Sequence, residues 1–181
     1  MIKVQELISV VQEIMRLLYN LGINWSIMGD LSLYLHQLNI RPGKIELLTD
    51  ENGIYILENE LVKRKYKVIE NVNLVIQNDL ISHRGRYMIH GVELNTYAGF
   101  IIKMGDIYYK VHLRDILPYC KSVELNEKLD IIITPLEFEL VRLYLQKDTN
   151  REKKINLILE KLEKIDYELV NMLTENLPKD K

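Results

Sequence analysis

The chain of 181 residues lacks several features that commonly identify a class of protein. It has one cysteine, Cys120, which excludes an intramolecular disulfide and the multi-cysteine zinc patterns. No apolar run is long enough to cross a bilayer, and Glu6 interrupts the apolar pattern at the amino terminus, unlike in a signal peptide. We therefore expect an intracellular, cytoplasmic protein without a membrane partner.

Neither sign of charge dominates the chain. Lys and Arg total 24 against 26 Asp and Glu, so no global charge attracts nucleic acid or anionic lipid, although a local basic patch remains compatible with these totals. The histidines lack metal-ligand spacing, which argues against a histidine metal site. They are His36, His83, His90 and His112. A lone cysteine such as Cys120 is more typical of a core residue than of a nucleophile.

The first half of the chain alternates between helical and strand patterns. The predicted elements are a helix over 4–18, a strand over 25–28, a helix over 31–38, a strand over 45–49 and a helix over 51–65. Gly22 marks the end of the first helix, and Asp30 is the predicted N-cap of the second. Pro42 and Gly43 separate the second helix from the strand that follows.

The middle of the chain is rich in short β-leaning runs. The predicted strands cover 68–77, 86–90, 92–97, 101–111 and 129–133. Gly105 and Asp106 have the composition of a hairpin turn.

The last third of the chain is helical. Thr134 followed by Glu137 has the spacing of a capped helix start, and Thr149 followed by Glu152 repeats it. A third helix is predicted to begin near Asp166. These patterns predict three consecutive helices.

The order of the elements predicts an α+β fold, in which a mixed sheet flanked by helices is followed by a C-terminal helical bundle. We expect residues 1–133 to form the α/β domain and residues 134–177 to form a helical segment packed on it. The chain shows no internal repeat and no low-complexity linker.

Three stretches together carry a resemblance to a known family. Residues 24–50 read NWSIMGDLSLYLHQLNIRPGKIELLTD, which is a strand, a Gly-Asp turn, a helix, a basic loop and a strand with an acid. Residues 132–143 give a strand, a proline-containing cap and a helix, and residues 151–154 form a basic segment after it. In this order they resemble the nucleotidyltransferase superfamily with the polymerase-β-like fold, especially the minimal enzymes of the antibiotic-resistance and toxin–antitoxin type.

The resemblance implies a metal site. Family members end the first strand in Gly-Gly or Gly-Ser and carry Asp-x-Asp on the next strand, with a third acid from a later strand. Here Gly29 is followed by Asp30, while Lys44 and Glu46 occupy the Asp-x-Asp positions. The resemblance implies Glu46 and Glu93 as catalytic carboxylates and Glu46, Glu93 and Asp30 as ligands of Mg²⁺, if the protein is active.

The resemblance also implies a nucleotide-binding set made of Gly29, Asp30, Arg41 and Lys44. A glycine at a strand-to-helix turn lets backbone N–H groups approach a phosphate at the helix N-terminus. Arg41 and Lys44 would neutralise phosphate charge.

Each of these residues has an alternative interpretation that the sequence leaves open. Asp30 can serve only as a helix cap, and Glu46 can lie on the solvated face of an edge strand. Glu93, which shares a strand face with Asn95, can be an ordinary surface acid. Arg41 can simply face water.

Two functions from different classes are compatible with these residues. The first is a divergent nucleotidyltransferase that moves a nucleoside monophosphate onto a small molecule, a protein or an RNA end. The second is a non-catalytic protein that binds a nucleoside triphosphate, or a protein or RNA partner in a regulatory or antitoxin-like role. Lys44 favours the second, because a cation in place of a metal-binding aspartate repels Mg²⁺. A third interpretation is an α+β domain whose similarity is accidental.

Overall fold

The computed structural model describes residues 3–77, 80–104, 107–125, 129–145, 150–163 and 165–175. The helices in these ranges are α1 (Val4–Leu21), α2 (Gly29–Leu35), α3 (Glu51–Lys63), α4 (Leu113–Ile116), α5 (Leu136–Leu145), α6 (Arg151–Lys161) and α7 (Tyr167–Thr174), with a 3-10 turn over Leu117–Tyr119. The strands are β1 (Trp25–Met28), β2 (Ile45–Thr49), β3 (Lys67–Gln77), β4 (Leu80–Ile89), β5 (Val92–Met104), β6 (Ile107–Val111), β7 (Lys121–Leu125) and β8 (Leu129–Ile133).

One mixed sheet contains all of the described strands. Its order is β3-β4-β5-β2-β1-β8-β7, and β6 pairs with β5 beside this path. β1 runs parallel to β8 and antiparallel to β2, and β2 runs parallel to β5. The predicted α+β class with a mixed sheet is therefore confirmed.

Helices cover both faces of the sheet because successive strand residues point to opposite sides. On one face, α1 and α3 pack against Ile27 and Leu47. On the other face, α4, α5 and α7 pack against Met28, Leu48 and Tyr97. A third apolar cluster joins α2, α5 and α6. Of the C-terminal helices, α5 and α7 thus pack on the sheet and α6 packs against α2 and α5. The division of the chain at residue 133 stays a prediction.

Several elements match the sequence prediction closely. β1, β2 and β8 have the predicted bounds, and α1 ends at the predicted glycine. Gly22 adopts φ 64°, a left-handed conformation that costs glycine little, and its N–H bonds the carbonyls of Leu18 and Tyr19. α7 begins one residue after Asp166, whose carboxylate accepts a hydrogen bond from the N–H of Leu169.

Other predictions were wrong or incomplete. α2 begins at Gly29 with Met28 as its N-cap, so Asp30 lies inside the first turn and is not the cap. β4 begins at Leu80, six residues before its predicted start, and β5 continues through Gly99 at φ 63°. α4, the 3-10 turn and β7 had no counterpart in the prediction. The predicted turn at residues 105–106 and the predicted cap at residue 149 lie outside the described residues.

Within the described ranges, no helix combines the length and the apolar character needed to cross a bilayer.

Candidate functional site

The candidate site lies where β1 turns into α2. Gly29 makes this turn at φ 72°, and a Cβ added there would lie 2.0 Å from Oε2 of Glu46. Glu46 is close because Met28 at the end of β1 pairs with it across the antiparallel strands. The position therefore requires glycine for its backbone conformation and for the space that the carboxylate fills.

A lysine that directly precedes β2 forms an ion pair with Glu46. Nζ of Lys44 lies 3.1 Å from Oε1 of Glu46, with the lysine side chain 43% exposed and the glutamate side chain 14% exposed. The hydroxyl of Tyr97 donates to the same carboxylate over 3.5 Å. Burial, followed by the Glu46 charge, raises the pKa of Tyr97, so its phenol stays protonated at neutral pH.

The residue beside Glu46 on the neighbouring strand is Asn95. The register of β2 against β5 pairs Glu46 with Asn95, and Glu93 lies two residues earlier on the same face. The carboxylate of Glu93 accepts hydrogen bonds from Nε and Nη2 of Arg86 at 3.2 and 3.0 Å. Asn95 is buried, and its Oδ1 has no hydrogen-bond partner among the described residues. An amide rather than an acid thus lies next to Glu46.

Asp30 is bound by a residue of the C-terminal helices. Nζ of Lys154 in α6 lies 2.8 Å from Oδ1 of Asp30, and the lysine side chain is only 12% exposed. Because Asp30 does not cap α2, its carboxylate is available for this ion pair, which joins α2 to α6.

A buried carboxylate from α5 supports the turn from behind. Glu139, with a side chain 0% exposed, accepts hydrogen bonds from the N–H of Gly29 at 2.7 Å and the hydroxyl of Thr134 at 2.6 Å. Its other oxygen accepts from Nε and Nη2 of Arg142 at 2.9 and 2.8 Å. The N–H of Gly29, which the family pattern would offer to a phosphate, is therefore used within the protein.

Several acids stabilise the positive charge of Arg142. Burial alone would lower the pKa of Arg142, but the carboxylates of Glu139, Glu46 and Asp30 together raise it. The guanidinium therefore stays charged, and it lies in the combined field of three acids of the site. The sequence interpretation missed Glu139 and Arg142, whose charges within a helical pattern were the only signal. It included Lys154 only as part of the basic segment 151–154 and assigned it no role in the site.

A cavity with a volume of about 340 Å³ lies beside Asp30. Its lining is Asp30, Asn39, Ile40, Arg41, Asn150, Lys153, Lys154 and Leu157, and we call it the cationic cavity. Three of these side chains are basic and one is acidic. Such a wall attracts anions, and α6, whose N-terminus lies here, adds the positive end of its dipole.

The acids of the site are a poor donor set for a pair of divalent cations. Glu46, Asp30 and Glu93 are each bound to a lysine or arginine. In the described part of the chain, no group of three or more His, Cys, Asp or Glu side chains gathers closely enough to hold a metal ion.

Comparisons with solved structures identify the fold. A protein from Thermotoga maritima, described as a candidate nucleotidyltransferase, superposes with a TM-score of 0.69 at 25% identity over 90% of this chain and 95% of that one. The lincosamide antibiotic adenylyltransferase LnuA, solved with lincomycin, gives a TM-score of 0.56 at 10% identity over 83% and 95% of the two chains. ANT(2")-Ia, in complex with adenylyl-2"-tobramycin, gives 0.55 at 11% identity over 92% and 94%.

The chain therefore has the nucleotidyltransferase fold, as the sequence resemblance implied. No protein-family model matches the sequence, and a search of curated proteins gives no match.

Proposed function

We propose that this protein binds a nucleoside triphosphate on a nucleotidyltransferase scaffold and does not transfer the nucleotidyl group. The observation that carries the proposal is the cationic cavity beside the β1–α2 turn. Nucleotide phosphates match its charge, because three of the side chains that line it are basic and one is acidic.

The start of α6 supports an anionic ligand. Three of its first four residues are basic, namely Arg151, Lys153 and Lys154. Basic side chains near a helix N-terminus oppose the helix dipole, whereas an anion there is favourable. A bound phosphate chain would offset this repulsion, and Arg41, which also lines the cavity, would contribute a further positive charge.

The ion pairs of the site argue against transfer. Phosphoryl-type transfer relies on metal ions that neutralise charge and align the reacting oxygens. Lys44, Lys154 and Arg86 bind the three acids that the family resemblance assigns to metal. We therefore infer that this chain does not carry out adenylyl transfer, the reaction in the name of LnuA. Mg²⁺ would be a cofactor only if the protein were catalytically active.

Isothermal titration calorimetry with each of the four nucleoside triphosphates tests the proposal. Arg41→Ala removes a cavity cation, and Arg64→Ala removes an exposed arginine at the end of α3 as the matched control. Loss of one charge-assisted contact should weaken binding about tenfold for Arg41→Ala, while the control stays at the wild-type affinity.

Two results would contradict the proposal. Absence of binding by all four nucleotides would favour a protein or RNA partner instead. If wild-type protein with Mg²⁺ or Mn²⁺ releases pyrophosphate, and Glu46→Gln abolishes the release, the protein is an enzyme.

A further inference from the structure

Lysine side chains of the protein itself neutralise two carboxylates of this site. Nζ of Lys44 lies 3.1 Å from Glu46, and Nζ of Lys154 lies 2.8 Å from Asp30. Glu46 Oε2 lies against the backbone of Gly29, directly before Asp30 in the chain, so both ion pairs flank the same turn. Lysine ammonium groups thus lie at the carboxylates where a metal-dependent member of the fold would bind Mg²⁺.

A divalent cation entering this turn would meet few free oxygens. It would have to displace Lys44 from Glu46 while staying close to the displaced ammonium group. Asn95 offers a neutral amide oxygen beside Glu46, and Glu93 is held by two hydrogen bonds from Arg86. Mg²⁺ requires near-octahedral oxygen coordination and gives up water reluctantly, so this set does not fit it.

The balance of charge around the turn also disfavours a metal. Four acids, Asp30, Glu46, Glu93 and Glu139, each form an ion pair with a basic side chain among the described residues. The cationic cavity adds the positive charges of Arg41 and Lys153 to this balanced set. The surroundings therefore favour a metal-free anion over the Mg²⁺ complex of the same anion.

We propose that the ligand is a metal-free polyphosphate and that Mg²⁺ weakens its binding. This inference rests on the proposed function, and it specifies the ionic form of the ligand. Lys44 determines this preference, because its ammonium group neutralises the Glu46 carboxylate where a metal ion would do so in an active member of the fold. The phosphate chain can belong to a nucleoside triphosphate or to inorganic tripolyphosphate.

Calorimetry under two ionic conditions tests the inference. ATP and inorganic tripolyphosphate are titrated separately into wild-type protein in EDTA and in excess Mg²⁺. We expect tighter binding in EDTA, by about tenfold, the size of one lost charge-assisted contact. Binding of ATP but not of tripolyphosphate would support a nucleotide, and equal binding of both would support the phosphate chain alone.

Substitutions at Lys44 make the test specific. Lys44→Asp should reverse the effect of Mg²⁺, because an acid beside Glu46 creates a metal-binding pair. Lys44→Met should weaken metal-free binding without creating that pair, and it serves if the aspartate variant fails to fold. Lys63→Met is the matched control, because Lys63 forms a lysine–glutamate pair with Glu60 on the exposed surface of α3.

The outcomes separate this inference from the proposed function. Tighter binding of Mg²⁺–ATP than of free ATP to the wild type would overturn the inference and leave nucleotide binding intact. An unchanged response to Mg²⁺ in a folded Lys44→Asp variant would also overturn it. No binding in either condition would overturn the proposed function itself.

Discussion

Replacing Glu139 by alanine should destabilise the protein strongly. The carboxylate lies fully buried and accepts four hydrogen bonds, from Gly29, Thr134 and twice from Arg142. Its removal leaves the charge of Arg142 in the interior without that counter-ion, and it leaves the other two donors without this acceptor.

The expected magnitude follows from these contacts. Breaking a buried ion pair by removing one partner costs about 3–5 kcal/mol, and each orphaned donor adds about 1–3 kcal/mol before relaxation. These terms are not additive, so we expect the free energy of unfolding to fall by about 4 kcal/mol. For a domain of this size, the melting temperature should fall by about 10 °C.

Urea unfolding at pH 7 measures this loss. Glu160→Ala, which removes an exposed acid near the end of α6, should change the free energy of unfolding by less than about 0.5 kcal/mol. The double variant Glu139→Leu with Arg142→Met should recover part of the loss, because it removes both buried charges. A loss below about 1 kcal/mol for Glu139→Ala is the size expected of an exposed ion pair and would contradict a buried, stabilising one.

Three further predictions concern other positions. Gly29→Ala should lower the free energy of unfolding by at least about 1–3 kcal/mol in urea titrations, since φ is 72° and the new Cβ would collide with Glu46; wild-type stability would contradict this. Burial lowers the pKa of His36, whose Nε2–H donates to the Thr134 carbonyl at 2.8 Å. Below about pH 6.5, the ordinary pKa of histidine, the unfolded chain therefore binds more protons at this position than the folded chain does. The contribution of neutral His36 to the free energy of unfolding is complete above that pH and decreases as the pH falls. Unfolding at pH 7 and pH 5 should show a smaller pH-dependent loss for His36→Asn than for wild type, and identical losses would contradict the assignment. Burial also raises the pKa of Cys120, so iodoacetamide at pH 8 should modify the native thiol more slowly than the urea-unfolded thiol; equal rates would refute this.

Local patterns were sufficient to predict much of the fold. The helical spacing of apolar residues located α1, and short apolar runs bounded by turn residues located β1, β2 and β8. Lys44 lies one residue before β2 and two residues before Glu46, so this ion pair joins residues that are close in sequence. These features depend on residues close together in the chain.

The rest of the site depends on contacts between distant segments. Alternation places Glu93 and Asn95 on one face, but only the register of β2 against β5 brings Asn95 beside Glu46. The spacing of Glu139 and Arg142 fits an exposed helical pair equally well, and their burial depends on how α5 packs.

Asp30 illustrates how a local rule was overridden. Its residue type is typical of an N-cap, but the conformation of Gly29 lets α2 begin two residues earlier than predicted, at Gly29. The carboxylate then pairs with Lys154, far along the chain. No local pattern contains that partner.

The most direct test of nucleotide binding at the cationic cavity is an NMR titration of ¹⁵N-labelled protein with ATP in EDTA. Nucleotide binding at the cationic cavity should produce amide shift changes concentrated at residues 29–30, 39–44 and 150–154, which surround the cavity and the turn. Shift changes concentrated instead at residues 49–53 and 112–114, which line a separate cavity of about 440 Å³, would contradict it. The absence of any shift change at millimolar ATP would contradict it as well.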